Sequence, residues 1–174
     1  MFKGRYGVRV AVALYRIAAR RLAAWLVDWL IIAVYAAALI PLGVLLNRTV
    51  TLAVAALNIM AFFVLVVPVT AWLAWWEHAR AATPGKLLLR LRVTPRPGFG
   101  KALARNALKV ALPWEVAHTG VYLLTYSDDR AVGTVLAVGA QLVALWFVVT
   151  LFVGDGRTPY DRTTSLAVVQ APSR

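Results

Sequence analysis

Cysteine is absent from this chain. Disulfides, thiolate metal sites and cysteine nucleophiles are thereby excluded, while the redox compartment stays undecided. Histidine is scarce: the chain has 2, His78 and His118, and neither has a second ligand at metal spacing. The serines Ser127, Ser165 and Ser173 never fall in the strand-turn-helix context of a nucleophile elbow. Gly85 and Lys86 imitate the end of a phosphate loop, but Leu87 stands where serine or threonine is required and the upstream glycine is missing. These absences argue against an enzyme, a bound cofactor or a metal centre. Acid is scarce too, with Asp+Glu 7 against Lys+Arg 19 and a net charge of +12. Nucleic-acid binding would need those cations on a folded soluble surface among groove-reading or stacking elements. Here they flank long apolar runs, where attraction to anionic inner-leaflet lipids explains them. No nucleic-acid partner is expected.

What the chain has is apolar length. Hydrophobic residues make up 61% of it and the mean hydropathy is +0.73, against roughly 45–50% apolar in an ordinary globular domain. A soluble core of this size could not hide so much. Residues 22–46, 50–76 and 134–153 are apolar apart from isolated groups such as Asp28, Asn58 and Gln141, and each reaches the ~20 residues that cross ~30 Å of hydrocarbon. A weaker fourth candidate, 108–126, contains Lys109, Glu115 and His118. The expected fold is therefore an all-α integral membrane protein of four transmembrane helices in one domain, with an N-terminal interfacial helix and a basic cytoplasmic central segment.

Charge placement orients the spans. With four crossings, all 19 Lys and Arg except Arg48 and Arg130 share one side, and the positive-inside rule puts both termini in the cytoplasm of a cell membrane. Three crossings would send Arg157, Arg162 and Arg174 outside, a poorer fit. Trp25, Trp72, Trp75, Trp76 and Trp114 fall near the inner boundary and Tyr122 and Tyr126 near the outer one, at headgroup depth. Ala36, Ala37 and Ala38 resemble a signal-peptide cleavage region, but an h-region of 7–15 residues should hold no aspartate and should not continue to Leu46. The Asn47-Arg48-Thr49 sequon abuts two spans and reads as coincidental.

Ahead of the first span, Arg5, Arg9, Arg16 and Arg20 share a helical face opposite Val10, Leu14 and Ile17, which suits either an interfacial helix or a solvated lead-in. In the central segment, Thr83 followed by Pro84 predicts a helix start. Leu89, Leu91 and Val93 alternate with Arg90 and Arg92, and a turn with Pro95, Pro97, Gly98 and Gly100 follows, predicting a small hairpin-like excursion. Lys101, Arg105 and Lys109 form a cationic stripe entering the weak span. Pro68 and Pro113 are expected to kink their helices, and no internal repeat is visible.

Polar groups inside spans are expensive and therefore informative: an ionisable side chain at a helix centre costs about 2.5–3.5 kcal/mol on insertion scales. Glu115, His118, Thr119, Tyr122 and Tyr126 lie on one helical face. With Asn58 and Gln141 in the outer half, Glu115, His118 and Tyr122 mark either a cation or proton path or a buried polar seam that fixes helix packing. Four helices can scarcely enclose a path, so a homo-oligomer or another membrane subunit is the expected partner. Asp28, about 9 Å inside the first span, is expected to pair with a cation from another helix. Arg105 is preferred and Lys86 second, with a hydrated or protonated Asp28 as the alternative.

Three stretches resemble the RDD family of bacterial membrane proteins. RRLAAWLVDWLI carries the arginine-then-aspartate start in Arg21 and Asp28, ATPGKLLLRLRV with ALARNALK resembles the central cytoplasmic segment, and DRTTSLAVV the closing aspartate motif. The resemblance spans residues 20–169. It implies roles for Arg21, Asp28, Pro84, Gly85, Lys86, Arg105, Asn106 and Asp161. Ser165 and Leu166 stand where the family usually has Gly-Thr, and Pro95-Arg96-Pro97 where an acidic residue and glycine are common. The resemblance implies transport, with cation/proton exchange suggested for a member; the alternative is a structural or assembly partner of another membrane complex.

Overall fold

The computed structural model describes residues 3–49 and 54–172. One helix, α1 (Lys3–Thr49), runs through the basic lead-in and the first apolar stretch without interruption, so there is no separate interfacial helix. Nothing between Arg16 and Leu22 breaks it, since Ala18, Ala19, Arg20 and Arg21 are strong helix formers. At 1.5 Å per residue its 47 residues measure about 70 Å, over twice the hydrocarbon thickness. The side chains of Arg5, Arg9, Val10, Asn47 and Thr49, the start of the second apolar run at 50–53, and Arg174 lie outside the described residues.

The second run forms α2 (Val54–Ala61), a π turn (Phe62–Val66) and α3 (Val67–Arg80); the weak segment forms α5 (Phe99–Asn106), a π turn (Ala107–Ala111) and α6 (Leu112–Tyr126). Both π turns stand immediately before a proline, Pro68 or Pro113. Proline lacks an N–H and its ring clashes with the carbonyl four residues back, and the wider turn absorbs that conflict: Val67 N–H donates to Phe62 O and Leu112 N–H to Ala107 O. α7 (Arg130–Phe152) completes the long elements. Val12–Leu46, Asn58–Arg80 and Arg130–Phe152 are long and apolar enough to cross a membrane, and the protein is an all-α membrane protein in its bulk. Large apolar side chains stay exposed along them, among them Leu30, Val34, Val135 and Leu142, more than a water-facing surface tolerates.

α6 and α7 pack antiparallel at the distance of two glycines. A Cβ at Gly120 would lie 2.6 Å from Ala137 N, and one at Gly133 would lie 2.9 Å from Gly120 O. Small residues of this kind let membrane helices approach closely. Ile32, Val69, Leu73 and Val110 form a cluster with Trp29, Trp72 and Trp114.

Outside the long helices sit two short arms. One is α4 (Pro84–Leu88) followed by β1 (Leu91–Thr94); the other is α8 (Pro159–Thr163) followed by β2 (Ala167–Gln170). The alternation over residues 89–93 yields a strand at Leu91–Thr94, but it does not fold back as a local hairpin. It pairs antiparallel with β2, Val93 opposite Val168, because Gly98 begins α5 and supplies no returning strand. The arms repeat each other. Thr83-Pro84 and Thr158-Pro159 open the short helices; Arg90 and Ser165 leave them at φ 54° and 55°; Leu91 and Leu166 are each 1% exposed. Leu87 N–H to Thr83 O recurs as Arg162 N–H to Thr158 O, and Arg90 N–H to Leu87 O as Ser165 N–H to Arg162 O. An internal repeat is therefore present, related by a local twofold through Val93 and Val168.

Candidate functional site

Asp28 faces α4. Thr83 caps that helix as its sequence predicts, accepting from Lys86 N–H with Pro84 in the first turn. The Thr83 hydroxyl donates to Asp28 Oδ2 at 2.6 Å and Gly85 N–H donates to Oδ1 at 2.8 Å. Glycine is required here, because a Cβ at position 85 would lie 2.0 Å from Ala24 O. Asp28 thus ties the first helix to the central segment, but no ion pair does it. Neither Arg105 nor Lys86 is its partner, since both are drawn to other carboxylates, and Asp28 is 2% exposed.

Those other carboxylates organise a chain of alternating charge. Arg21 Nη2 donates to Asp161 Oδ2 at 2.5 Å, and Arg105 Nε and Nη2 donate to Asp161 Oδ1 at 2.9 and 2.6 Å. Arg105 Nη1 continues to Glu77 Oε1 at 2.5 Å, which also receives Lys86 Nζ. Asn106 Nδ2 donates to Glu77 Oε2 at 3.0 Å. The sequence Arg21, Asp161, Arg105, Glu77, Lys86 links α1, α8, α5, α3 and α4. Arg21 also donates to Gly156 O at 2.6 Å, and the Arg105 guanidinium lies 5.2 Å from the Tyr160 ring centroid. Asp161 accepts a further bond from Thr158 N–H at the start of α8.

Burial opposes charge on Asp161, but Arg105 and Arg21 outweigh it and hold the carboxyl well below the usual carboxylate range. Burial likewise opposes charge on Arg105, and Glu77 and Asp161 more than offset it, so the guanidinium stays cationic. At Lys86 burial wins over the attraction of Glu77, with Arg105 and Lys109 adding repulsion, and lowers the ammonium from 10.5 to about 7.

Above this network lies a cavity of about 540 Å³ between α1, α6 and α7, within the usual 300–1,000 Å³ of small-molecule sites. Arg21, Lys86, Arg105 and Lys109 line one end, with Asp28 beside them; Trp114, Val121, Ala140, Ala144, Val148 and Leu151 line the rest. Trp29 stacks on Trp114 at 4.9 Å and bounds it.

The sequence-derived polar path does not assemble as one passage. His118 and Gln141 line the cavity, whereas Glu115, Tyr122 and Asn58 do not. Glu115 Oε1 accepts from Thr119 at 3.5 Å while Oε2 has no partner, Tyr122 packs on the Tyr126 ring, and Asn58 Oδ1 is buried without a partner. Glu77 was missed by the sequence reading. It ends an apolar helix behind Trp76, and its signal was scarcity: with 7 acids in the chain, one placed at a span's edge near Lys86 had a task. Among the described residues no group of three His, Cys, Asp or Glu could hold a metal ion.

Comparison with known proteins agrees with this geometry in one respect and adds nothing in two. No curated protein and no solved structure matches the chain. The family model described as RDD family matches residues 15–165, a stretch that includes Arg21, Asp28, Glu77, Lys86, Arg105 and Asp161. Since that match covers most of the sequence, the chain belongs to the RDD family.

Proposed function

We propose that the protein is a four-span transport component of a cell membrane, not an enzyme, with both termini cytoplasmic and a cavity that accepts negatively charged solutes. The paired strands β1 and β2 support the even count. Strands that share hydrogen bonds lie on one side of a bilayer, so the chain between them crosses an even number of times. α7 is one crossing and α6, packed antiparallel along it through Gly120 and Gly133, is the return. The basic arms then lie with the basic start of α1 on the inner side, where anionic lipids are their natural neighbours.

The cavity carries the functional reading. Four cations line it against Asp28 alone, and both Asp28 oxygens already accept from Thr83 and Gly85. A cation path needs carboxylate oxygens turned to the passage, and Glu77 and Asp161 are spent on Arg105, Lys86 and Arg21. The test is flux in proteoliposomes of the purified protein, with separate gradients of sodium, potassium, protons, acetate and phosphate. Anion flux reduced by Lys109→Gln is the expected result. Sodium, potassium or proton flux lost with Glu115→Gln would overturn it in favour of a cation path. No flux, with stable co-purification of a second membrane protein, would overturn it in favour of a structural partner.

A further inference from the structure

The cavity is two-faced along its length, and that constrains its occupant beyond the sign of its charge. Its cationic end is built on the network. Arg21 and Arg105 point most of their donors at Asp161, Glu77 and Gly156. Lys109 differs from them: it stands one helical turn beyond Arg105, lines the cavity, and has no ion-pair partner among the described residues. Lys86 offers a single bond, to Glu77. Lys109 is thus the ammonium with spare donors at that end, and Lys86, engaged with Glu77, stands beside it.

From there the walls turn apolar. Lys109, in the π turn before α6, lies about 18 Å along the helix axis from Val121, and Leu151 to Ala140 on α7 spans about 16 Å. Between those levels the lining includes Trp114, Ala117, Ala144, Phe147 and Val148, with His118 and Gln141 as its polar members. A small inorganic anion would leave that surface in contact with water. The cavity of about 540 Å³ is of the size that holds one small organic ligand. That size suits one alkyl chain with its head.

We infer that the cavity binds a single-chain amphiphile whose carboxylate or phosphate head meets Lys109 beside Lys86 and whose apolar tail runs along α6 and α7, on the side facing α1, toward Val121 and Ala140. This rests on the proposed anion-accepting cavity and names the class of solute.

The test is equilibrium binding to the protein in uncharged phosphatidylcholine nanodiscs, with empty nanodiscs subtracted. The probes are dodecanoate, dodecyl phosphate, dodecanol, dodecylamine, acetate and inorganic phosphate. Dodecanoate and dodecyl phosphate should saturate at one per protein. Lys109→Gln, which breaks no ion pair, should weaken both at least tenfold, and Ala144→Trp, which fills the tail region and touches no cation, should abolish binding while the melting temperature holds. Acetate or phosphate binding as tightly as dodecanoate would overturn the amphiphile and leave the anion-accepting cavity standing. Dodecanol or dodecylamine binding as tightly would overturn both. Competition by phosphatidylglycerol with equal affinity would overturn the single-chain assignment. No saturable binding by any probe would overturn the inference, whatever the flux assay reports.

Discussion

Arg21 and Asp161 stand 140 residues apart in the sequence and 2.5 Å apart in the fold. That contact fastens the first helix to the arm that follows the last one, and Asp161 holds Arg105 by the same carboxylate. Removing one member of a buried pair strands its partner, at about 3–5 kcal/mol. Asp161→Ala leaves Arg21 without a carboxylate and Arg105 with Glu77 alone, and should fall at the top of that range. Arg21→Ala leaves Asp161 with Arg105 and should fall at the bottom. Denaturant titration in detergent measures both, and equal effects would show that the two pairs are not coupled through Asp161.

Gly85 should be intolerant of the smallest possible change. A Cβ there meets Ala24 O at 2.0 Å and Asp28 Oδ1 at 2.9 Å, whereas one at Gly98 or Gly100 meets nothing within 4 Å. Gly85→Ala is expected to lower stability by more than 2 kcal/mol, roughly the effect of orphaning buried polar groups. Gly98→Ala and Gly100→Ala should stay within about 0.5 kcal/mol of wild type. Melting of the three variants side by side decides it.

Asp28 gives a cleaner separation of partners. Its oxygens accept from Thr83 and Gly85, so a double-mutant cycle of Asp28→Asn with Thr83→Val should show coupling above about 0.5 kcal/mol. The same cycle with Arg105→Met should fall below that value, because the two side chains share no bond. Larger coupling to Arg105 would mean that Asp28 reaches the charge network.

Alkali should stabilise the protein through Lys86. Its folded value lies at about 7, against 10.5 for an exposed ammonium. Between those values the unfolded chain holds a proton that the folded chain has released, so stability from this group rises with pH across that window. The melting temperature of the wild type should climb from pH 7 to pH 9 relative to Lys86→Met, in which Glu77 keeps Arg105 and Asn106. Asp161 acts in acid: its folded value is depressed, so its contribution is present above the ordinary aspartate range near 4 and is lost as pH falls below it.

Topology can be read directly, since the chain has no cysteine of its own. Arg48→Cys and Asp129→Cys should react with an impermeant thiol reagent in intact cells, and Arg90→Cys and Gln170→Cys only after permeabilisation. Residues 91 and 170 are paired across the ribbon, so labelling at one and not the other from outside would contradict the fold as well as the span count.

What the sequence made legible was local or compositional. The Thr83-Pro84 start was visible because a cap is decided within one turn, and the strand at 91–94 because period-two alternation needs no partner to be seen. Its true partner was not visible, since Val168 is chosen by the return of α7 and not by the adjacent turn. Asp28 was rightly singled out as an expensive charge, but sharing a helix face with Arg21 says nothing about which element each meets. The polar stripe at Glu115, His118 and Tyr122 was legible as spacing, but spacing on one helix does not say which members line the cavity, and only His118 of the three does. The internal repeat escaped notice because its copies share little beyond Thr-Pro and a buried Leu; what they share is backbone.

The late position of Asp161 has a consequence for biosynthesis. Translation at about 5–20 residues per second puts roughly 7–28 s between the emergence of Arg21 and that of its counter-ion. During that interval Arg21 has no carboxylate from α8, and Arg105, once made, has Glu77 alone. The nascent helix therefore carries Arg21 without that carboxylate, while Asp28 can already meet Thr83 and Gly85. The finished protein differs from the nearly finished one by a clasp that closes last, so a chain stopped before residue 161 carries two arginines with no anion from the closing arm.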